Sequence, residues 1–288
     1  MISFLLAFQE KVAQFIATII SIARLIAFSR PIENGPLKTH QNCIVLGNGP
    51  SLNVSLNLID SLKNDFDLFS VNLFSTSTYF NQLKPQNYLL LDDAFLDDQH
   101  EMAKKAIYHL AKDTNWQLNL IVPLKFKKSK YFTDSIAQNT FIKVYYINYV
   151  IFESFDWLRF WIYKKNIGMP QCQNVLVALT FQCINMAYKN VYLLGADHSW
   201  HENIRLNDDN ELIFLDTHFY GERKLQTKSI SDKSYLAAQF LSLHKAFKGY
   251  EIIARYAKIR GVKIFNAGAK SYIDVFEKIK LIDIGFKK

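Results

Sequence analysis

Ile44-Val45-Leu46-Gly47-Asn48-Gly49-Pro50-Ser51-Leu52 decides the fold. An apolar, β-branched run stops abruptly at two glycines, a proline and a serine, which is how a buried parallel strand enters a tight loop ahead of a helix. Gly47 and Gly49 permit close approach of backbone, and Ser51 has the chemistry of a helix cap. Several amides pointing outward from such a loop suit a phosphate. A plain strand–turn–helix junction has the same local pattern, so the rest of the chain must decide between them.

Downstream, strand and helix alternate. Strands are expected over residues 44–46, 67–71, 88–91, 118–122, 191–194 and 262–265, with helices over 54–62, 176–187 and 235–260. This rhythm predicts an α/β fold with a doubly wound, mostly parallel, Rossmann-like sheet. Ligands of such sheets bind beyond the carboxyl ends of the strands. That rule gathers Gly47, Asn48, Gly49, Pro50 and Ser51 with Asn72, Asp92, Asp93, Asp197 and His198 on one rim. Residues 41–288 are read as this single nucleotide-binding domain.

The chain has 288 residues, half of them hydrophobic and 15% aromatic, which argues for a large buried core and against wholesale disorder. A net charge of +8 suits anionic partners. Part of it lies in Leu124-Lys125-Phe126-Lys127-Lys128-Ser129-Lys130, a run that also reads as an ordinary solvated face. No zinc-finger, RNA-recognition or homeodomain pattern accompanies it, so no nucleic-acid partner is expected. Cys43, Cys172 and Cys183 form no metal-binding spacing and read as buried free thiols.

Residues 1–30 form an apolar segment whose longest uncharged run, 12–23, is shorter than the roughly 20 residues a bilayer span needs. It also lacks the basic start and small-residue cleavage site of a signal peptide. Glu10, Gln14, Thr18, Ser21 and Arg24 make one narrow polar stripe on a greasy helix. The expectation is an amphipathic helix lying in a membrane surface, with packing in a homo-oligomer core as the alternative. Pro31, Gly35 and Pro36 mark 31–40 as a linker. A second aromatic and basic segment, 151–166, with Trp157, Trp161, Lys164 and Lys165, suits either a membrane interface or a core helix or lid.

Three ordered blocks carry a family resemblance: Leu46-Gly47-Asn48-Gly49-Pro50-Ser51-Leu52; Asn64-Asp65-Phe66-Asp67-Leu68-Phe69 with Asn72-Leu73-Phe74; and Tyr188-Lys189-Asn190-Val191-Tyr192-Leu193-Leu194-Gly195-Ala196-Asp197. Together they resemble the bacterial sialyltransferases that finish lipooligosaccharides. The resemblance implies a glycosyltransferase that moves sialic acid or another nonulosonic acid from a CMP donor to a glycan or glycolipid acceptor. It further implies that the 47–51 loop and Asn72 hold the nucleotide, that no metal is needed, and that the base is a His after the last block. Asp216-Thr217-His218-Phe219-Tyr220-Gly221 is similar to that segment, although Gln173-Asn174-Val175 replaces the family's Ser-Gly pair.

The chain also looks like a broader group that includes motility-accessory flagellin glycosyltransferases and an archaeal pterin pyrophosphokinase. Lys84-Pro85-Gln86-Asn87-Tyr88 with Asp92, Gly195-Ala196-Asp197-His198 and Phe265-Asn266-Ala267-Gly268 carry that likeness. Its kinase branch implies ATP and Mg, for which Asp92-Asp93 has suitable oxygens.

Sugar transfer needs a base for the acceptor hydroxyl and a counter-charge for the departing phosphate. His218, oriented by Asp216 and Tyr220, is the first choice, and His198 the second. Asn174 and Asp197 join the binding set. No Mg or Mn ligand set is assigned. The reading is a membrane-associated transferase at the cytoplasmic face of the inner membrane, with an ATP- and Mg-dependent phosphotransferase and a non-catalytic nucleotide-binding protein as alternatives.

Overall fold

A computed structural model describes residues 2–206, 208–209, 212–218, 221–225 and 235–284, with side chains left out at 2–6, 212–218, 221–225 and 235. In chain order the elements are α1 (Ile2–Phe28), β1 (Asn42–Leu46), α2 (Leu56–Leu62), β2 (Asp67–Val71), α3 (Tyr79–Leu83), β3 (Asn87–Leu89), α4 (Glu101–Asp113), β4 (Leu118–Pro123), α5 (Lys130–Ala137) and β5 (Ile142–Ile147). They continue as α6 (Asp156–Lys164), α7 (Val175–Asn185), β6 (Asn190–Leu194), β7 (Ile204–Leu206), β8 (Leu212–His218), β9 (Gly221–Leu225), α8 (Tyr235–Arg260), β10 (Lys263–Asn266) and β11 (Glu277–Lys278).

Eight of the described strands form one parallel sheet in the order β11-β10-β6-β1-β2-β3-β4-β5. Both faces are covered, which is why β1 reads as an unbroken apolar run. Cys43 and Val45 face the core built with α6, α7 and α8. Ile44 and Leu46 face the opposite core, built with α2, α3, α4 and α5. The expected α/β, doubly wound architecture is therefore present. From β1 the chain winds outward to β5, then returns at β6 to the other side of β1. The strand order reverses at this β1/β6 boundary, a topological switch point, where ligands of such sheets bind.

The sequence reading did not anticipate β7, β8 and β9, a separate antiparallel sheet inserted between β6 and α8. All three cysteines are buried free thiols, as expected.

Two residues of the resembled blocks prove to be a structural latch. The buried Asp67 carboxylate accepts hydrogen bonds from the backbone amides of Thr39 and His40 (2.8 and 3.2 Å) and from the Tyr188 hydroxyl (2.6 Å), and lies 2.8 Å from the His40 ring. It ties the 31–40 linker to the turn before β6. Tyr188→Phe removes one arm of this buried network and is expected to cost about 1–2 kcal/mol, measured as a lower denaturation midpoint. An unchanged midpoint would mean that the latch carries no stability.

Helix α1 includes a stretch, Ala7–Phe28, long and apolar enough by length and composition to cross a membrane (mean hydropathy 1.7). The middle of its polar stripe, Gln14, Thr18 and Ser21, faces protein, while Glu10 and Arg24 at its ends are exposed. Gln14 donates to the Ser154 carbonyl (3.1 Å), Thr18 bonds the Ser154 hydroxyl (2.9 Å), and the Ser21 hydroxyl accepts from the Glu153 amide (3.0 Å). The apolar side, including Phe15, Ile19, Ile22 and Ile26, is exposed. This is the reverse of an ordinary surface helix, which hides its apolar stripe. The 151–166 segment divides similarly: on α6, Phe160 and Tyr163 are core, while Trp157 and Trp161 are exposed.

Candidate functional site

The crevice between β1 and β6 holds a cavity of about 150 Å³. Asn48, Gly49 and Pro50 enter it from the β1 loop, Asn72 from the end of β2, Asn174 from the start of α7, and Asp197 and His198 from the β6 loop. Most of the predicted binding residues therefore converge, drawn from four segments far apart in sequence. Gly47 and Ser51 stand directly behind this lining.

The β1 loop spends much of its backbone within the protein. The Gly47 amide donates to the Leu194 carbonyl (2.7 Å), the Gly49 amide to the Gly195 carbonyl (2.8 Å) and the Ser51 amide to Asp197 Oδ2 (2.9 Å). These three amides do not point outward as the sequence reading supposed. The glycines serve instead to let two loops touch. A Cβ on Gly47 would sit 2.4 Å from the Gly195 carbonyl oxygen, and one on Gly49 would sit 2.4 Å from Asp197 Oδ1. Ser51 is no simple cap either: its hydroxyl donates to Asp197 Oδ1 (2.5 Å), within a 3-10 turn at Pro50–Ser55.

Asp197 is 4% exposed and is the hub of the crevice. Burial raises its carboxyl above the ordinary range, while the two Ser51 hydrogen bonds and Lys270 oppose the rise. Each of its oxygens accepts one bond from Ser51 and retains further acceptor capacity, and the residue lines the cavity. Its own carbonyl accepts from the Tyr272 amide (3.0 Å), pinning the loop to the segment after β10.

Asn72 and His198 both adopt positive φ (46° and 53°), a conformation uncommon outside glycine. At Asn72 the turn is held by the Tyr88 hydroxyl, which donates to the Asn72 carbonyl (2.6 Å), and by Leu91, whose amide donates to Asn72 Oδ1 (3.3 Å). Asn174 caps α7, its side-chain oxygen accepting from the Leu176 amide (2.6 Å).

His198 is buried, with Nε2 2.7 Å from the Tyr250 hydroxyl and its ring stacked on Trp200 at 4.5 Å. Burial lowers its pKa to about 3, so the ring is neutral and a poor base near pH 7. Trp200 and Asn203 also line the cavity and were not picked out from sequence. Their signal was position: they follow Asp197 within the same loop.

Asp92 is not brought into the crevice. It lies at the end of β3, exposed, and caps the turn Asp93–Phe95 by accepting from the Ala94 amide (2.9 Å). Among the described residues no three His, Cys, Asp or Glu side chains cluster as a metal site would need.

Tyr220 lies outside the described residues, as does the side chain of His218. The backbone of His218 ends β8. Antiparallel pairing sets Phe214 opposite Ile204, so the strand beyond Phe214 runs past the start of β7, beside the turn Trp200–Asn203.

No protein-family model matches the chain, and no curated protein matches it. Among solved structures the fold is similar to the MAf glycosyltransferase from Magnetospirillum magneticum AMB-1, with a TM-score of 0.53 and 12% identity. The match covers 93% of this chain and 39% of that one, so the chain spans well under half of that protein's length. At this identity the likeness is one of fold.

Proposed function

We propose that the protein is a membrane-associated glycosyltransferase that uses a CMP-activated nonulosonic acid, without metal, to extend a lipid-linked or surface glycan at the cytoplasmic face of the inner membrane. The observation that carries this reading is the convergence of Asn48, Asn72, Asn174 and Asp197 on the β1/β6 crevice. Side-chain amides offer both donors and acceptors to a pyrimidine edge, and a carboxylate accepts from ribose hydroxyls. The glycosyltransferase fold of the structural neighbour adds support.

In the reaction the acceptor hydroxyl attacks the anomeric carbon of the donor, a base takes its proton, and CMP leaves with the bond's electron pair. His198 is unsuited to the base role, since burial keeps it neutral and weakly basic. That role is assigned to His218, and His198 positions the Trp200 face of the crevice. Tyr220 is proposed as a phenol that orients His218.

The docking of α1 favours an in-plane anchor over a span. Bonds at Gln14, Thr18, Ser21 and Arg30 hold one side of the helix lengthwise against the domain, so that its exposed apolar side is free to lie in a bilayer surface.

Thermal stabilisation of the detergent-purified chain by CMP, CDP, UDP, GDP and ATP, each with and without Mg, tests the donor. CMP alone should raise the melting temperature, and Asn72→Ala should abolish the rise. His218→Ala should keep the rise but lose transfer, and hydrolysis of the CMP-sugar, by about 100-fold or more. A rise only with ATP and Mg would overturn this reading in favour of phosphotransfer. Binding without turnover, even with lipid acceptors, would make the protein a nucleotide-binding module.

A further inference from the structure

A second cavity, of about 420 Å³, opens on the same rim beside the carboxyl ends of β4 and β5. Its floor includes Leu124 and Tyr149, and its wall is closed by Phe28 and Arg30, where α1 leaves the membrane-facing stretch. Lys125, Lys127 and Lys128 reach it from the turn Leu124–Lys128.

The cations are placed by structure rather than scattered. Asn148 grips Arg30 through both amide atoms, accepting from its backbone N–H and donating to its carbonyl (2.9 Å each). The Arg30 guanidinium folds over the end of α1 onto the Ala27 and Ser29 carbonyls (2.7 Å each). Lys125 pairs with Asp93 and lies 5.6 Å over the Tyr149 ring, while Lys127 lies 4.8 Å over Tyr146. Asp93 pairs with Lys125, and Asp92 lies near Tyr149 as well, against the cations of Arg30, Lys125, Lys127 and Lys128, so positive charge dominates. Phe28 and Ile26, 68% and 73% exposed, continue the apolar surface of α1 up to the cavity mouth. A cavity with a cationic end and an apolar approach matches a molecule with an anionic head and a hydrocarbon tail.

We propose that this cavity binds the phosphate headgroup of a membrane lipid that serves as the anchor of the acceptor. The lipid tail lies against α1, and the glycan extends along the rim toward the β1/β6 crevice. The two cavities are separated by four strand spacings, about 19 Å, a distance that a short oligosaccharide crosses and a single sugar does not. Naming the ligand an acceptor rests on the glycosyltransferase reading above. Binding of a lipid phosphate does not.

The test uses the full chain and flotation with phosphatidylcholine vesicles, with and without phosphatidylglycerol. Phosphatidylglycerol should tighten binding by about tenfold or more. Lys127→Gln/Lys128→Gln, both exposed positions, should remove that gain while keeping the melting temperature. Lys104→Gln/Lys105→Gln, an equal loss of charge at exposed positions of α4, should retain it. Inorganic phosphate in solution should not compete. Equal loss in both double variants would reduce the effect to diffuse surface charge and overturn the proposal. So would the absence of any gain from phosphatidylglycerol. Competition by inorganic phosphate would assign the cavity to a free anion instead. If the vesicle pattern appears but no sugar nucleotide stabilises the chain, the headgroup site stands and the transferase reading falls. The reverse pattern sinks the site alone.

Discussion

Gly47→Ala is expected to destabilise the protein by about 3 kcal/mol and to abolish stabilisation by nucleotide. The methyl group would stand 2.4 Å from the Gly195 carbonyl oxygen and 2.9 Å from its carbon, both backbone atoms. Neither side can yield cheaply. Gly47 is held by Leu194, and the carbonyl it would strike accepts from the Gly49 amide. Relief requires the β1 and β6 loops to separate, which opens the crevice where Asn48 and Asp197 meet. Gly35→Ala is the control, because nothing lies within 4 Å of a Cβ at that position. It should leave stability unchanged or slightly improved. Melting curves of the two variants, with and without CMP, decide the matter. A Gly47→Ala protein as stable as Gly35→Ala would mean that the loops tolerate separation and that their contact does not define the site.

The frame of the molecule was legible because its central strands are buried on both faces, leaving apolar runs that end at turn residues. The rim of candidate ligands followed from one rule about strand ends. Other features had weaker local signals. The pattern Ile142-Lys143-Val144-Tyr145-Tyr146-Ile147 is an edge strand with several half-exposed residues, and it merges into the aromatic stretch that follows. Helix α4 does carry helical spacing in Ala103, Ala106, Ile107 and Leu110, all buried, but its charged residues mask it. The meeting of His198 with Tyr250 spans 52 residues and has no local signature. The run from Lys125 to Lys130 reads as a solvated face until Arg30 and Phe28 are seen beside it. Glycine at 47 and 49 was visible, but not its reason, since sequence cannot distinguish a loop approaching a ligand from a loop approaching another loop.

Asp197→Ala and Asp197→Asn should separate the structural from the electrostatic role of the crevice's hub. Alanine leaves the Ser51 amide and hydroxyl without their acceptor in a buried setting, at an expected cost of about 2–3 kcal/mol. Asparagine keeps the shape: its oxygen accepts from the Ser51 amide, and its NH2 donates to the Ser51 hydroxyl. It should stay folded while binding nucleotide more weakly, having exchanged an acceptor for a donor. The pH dependence follows from the raised carboxyl of Asp197. Below about pH 4 the residue is protonated whether the chain is folded or not. Above that, the unfolded chain ionises first, while burial makes the folded state retain its proton. Ionisation therefore penalises folding, and wild type should lose stability relative to Asp197→Asn as pH rises through the folded pKa, with the loss complete above it. His198 acts in the opposite sense: its lowered pKa removes stability as pH falls from about 6.5 toward about 3. It is present in both proteins, so the difference between their unfolding midpoints isolates Asp197. A difference that does not change with pH would show that the carboxylate pays no burial cost, and an alanine variant as stable as the asparagine one would remove Asp197 from its place as the joint between the two loops.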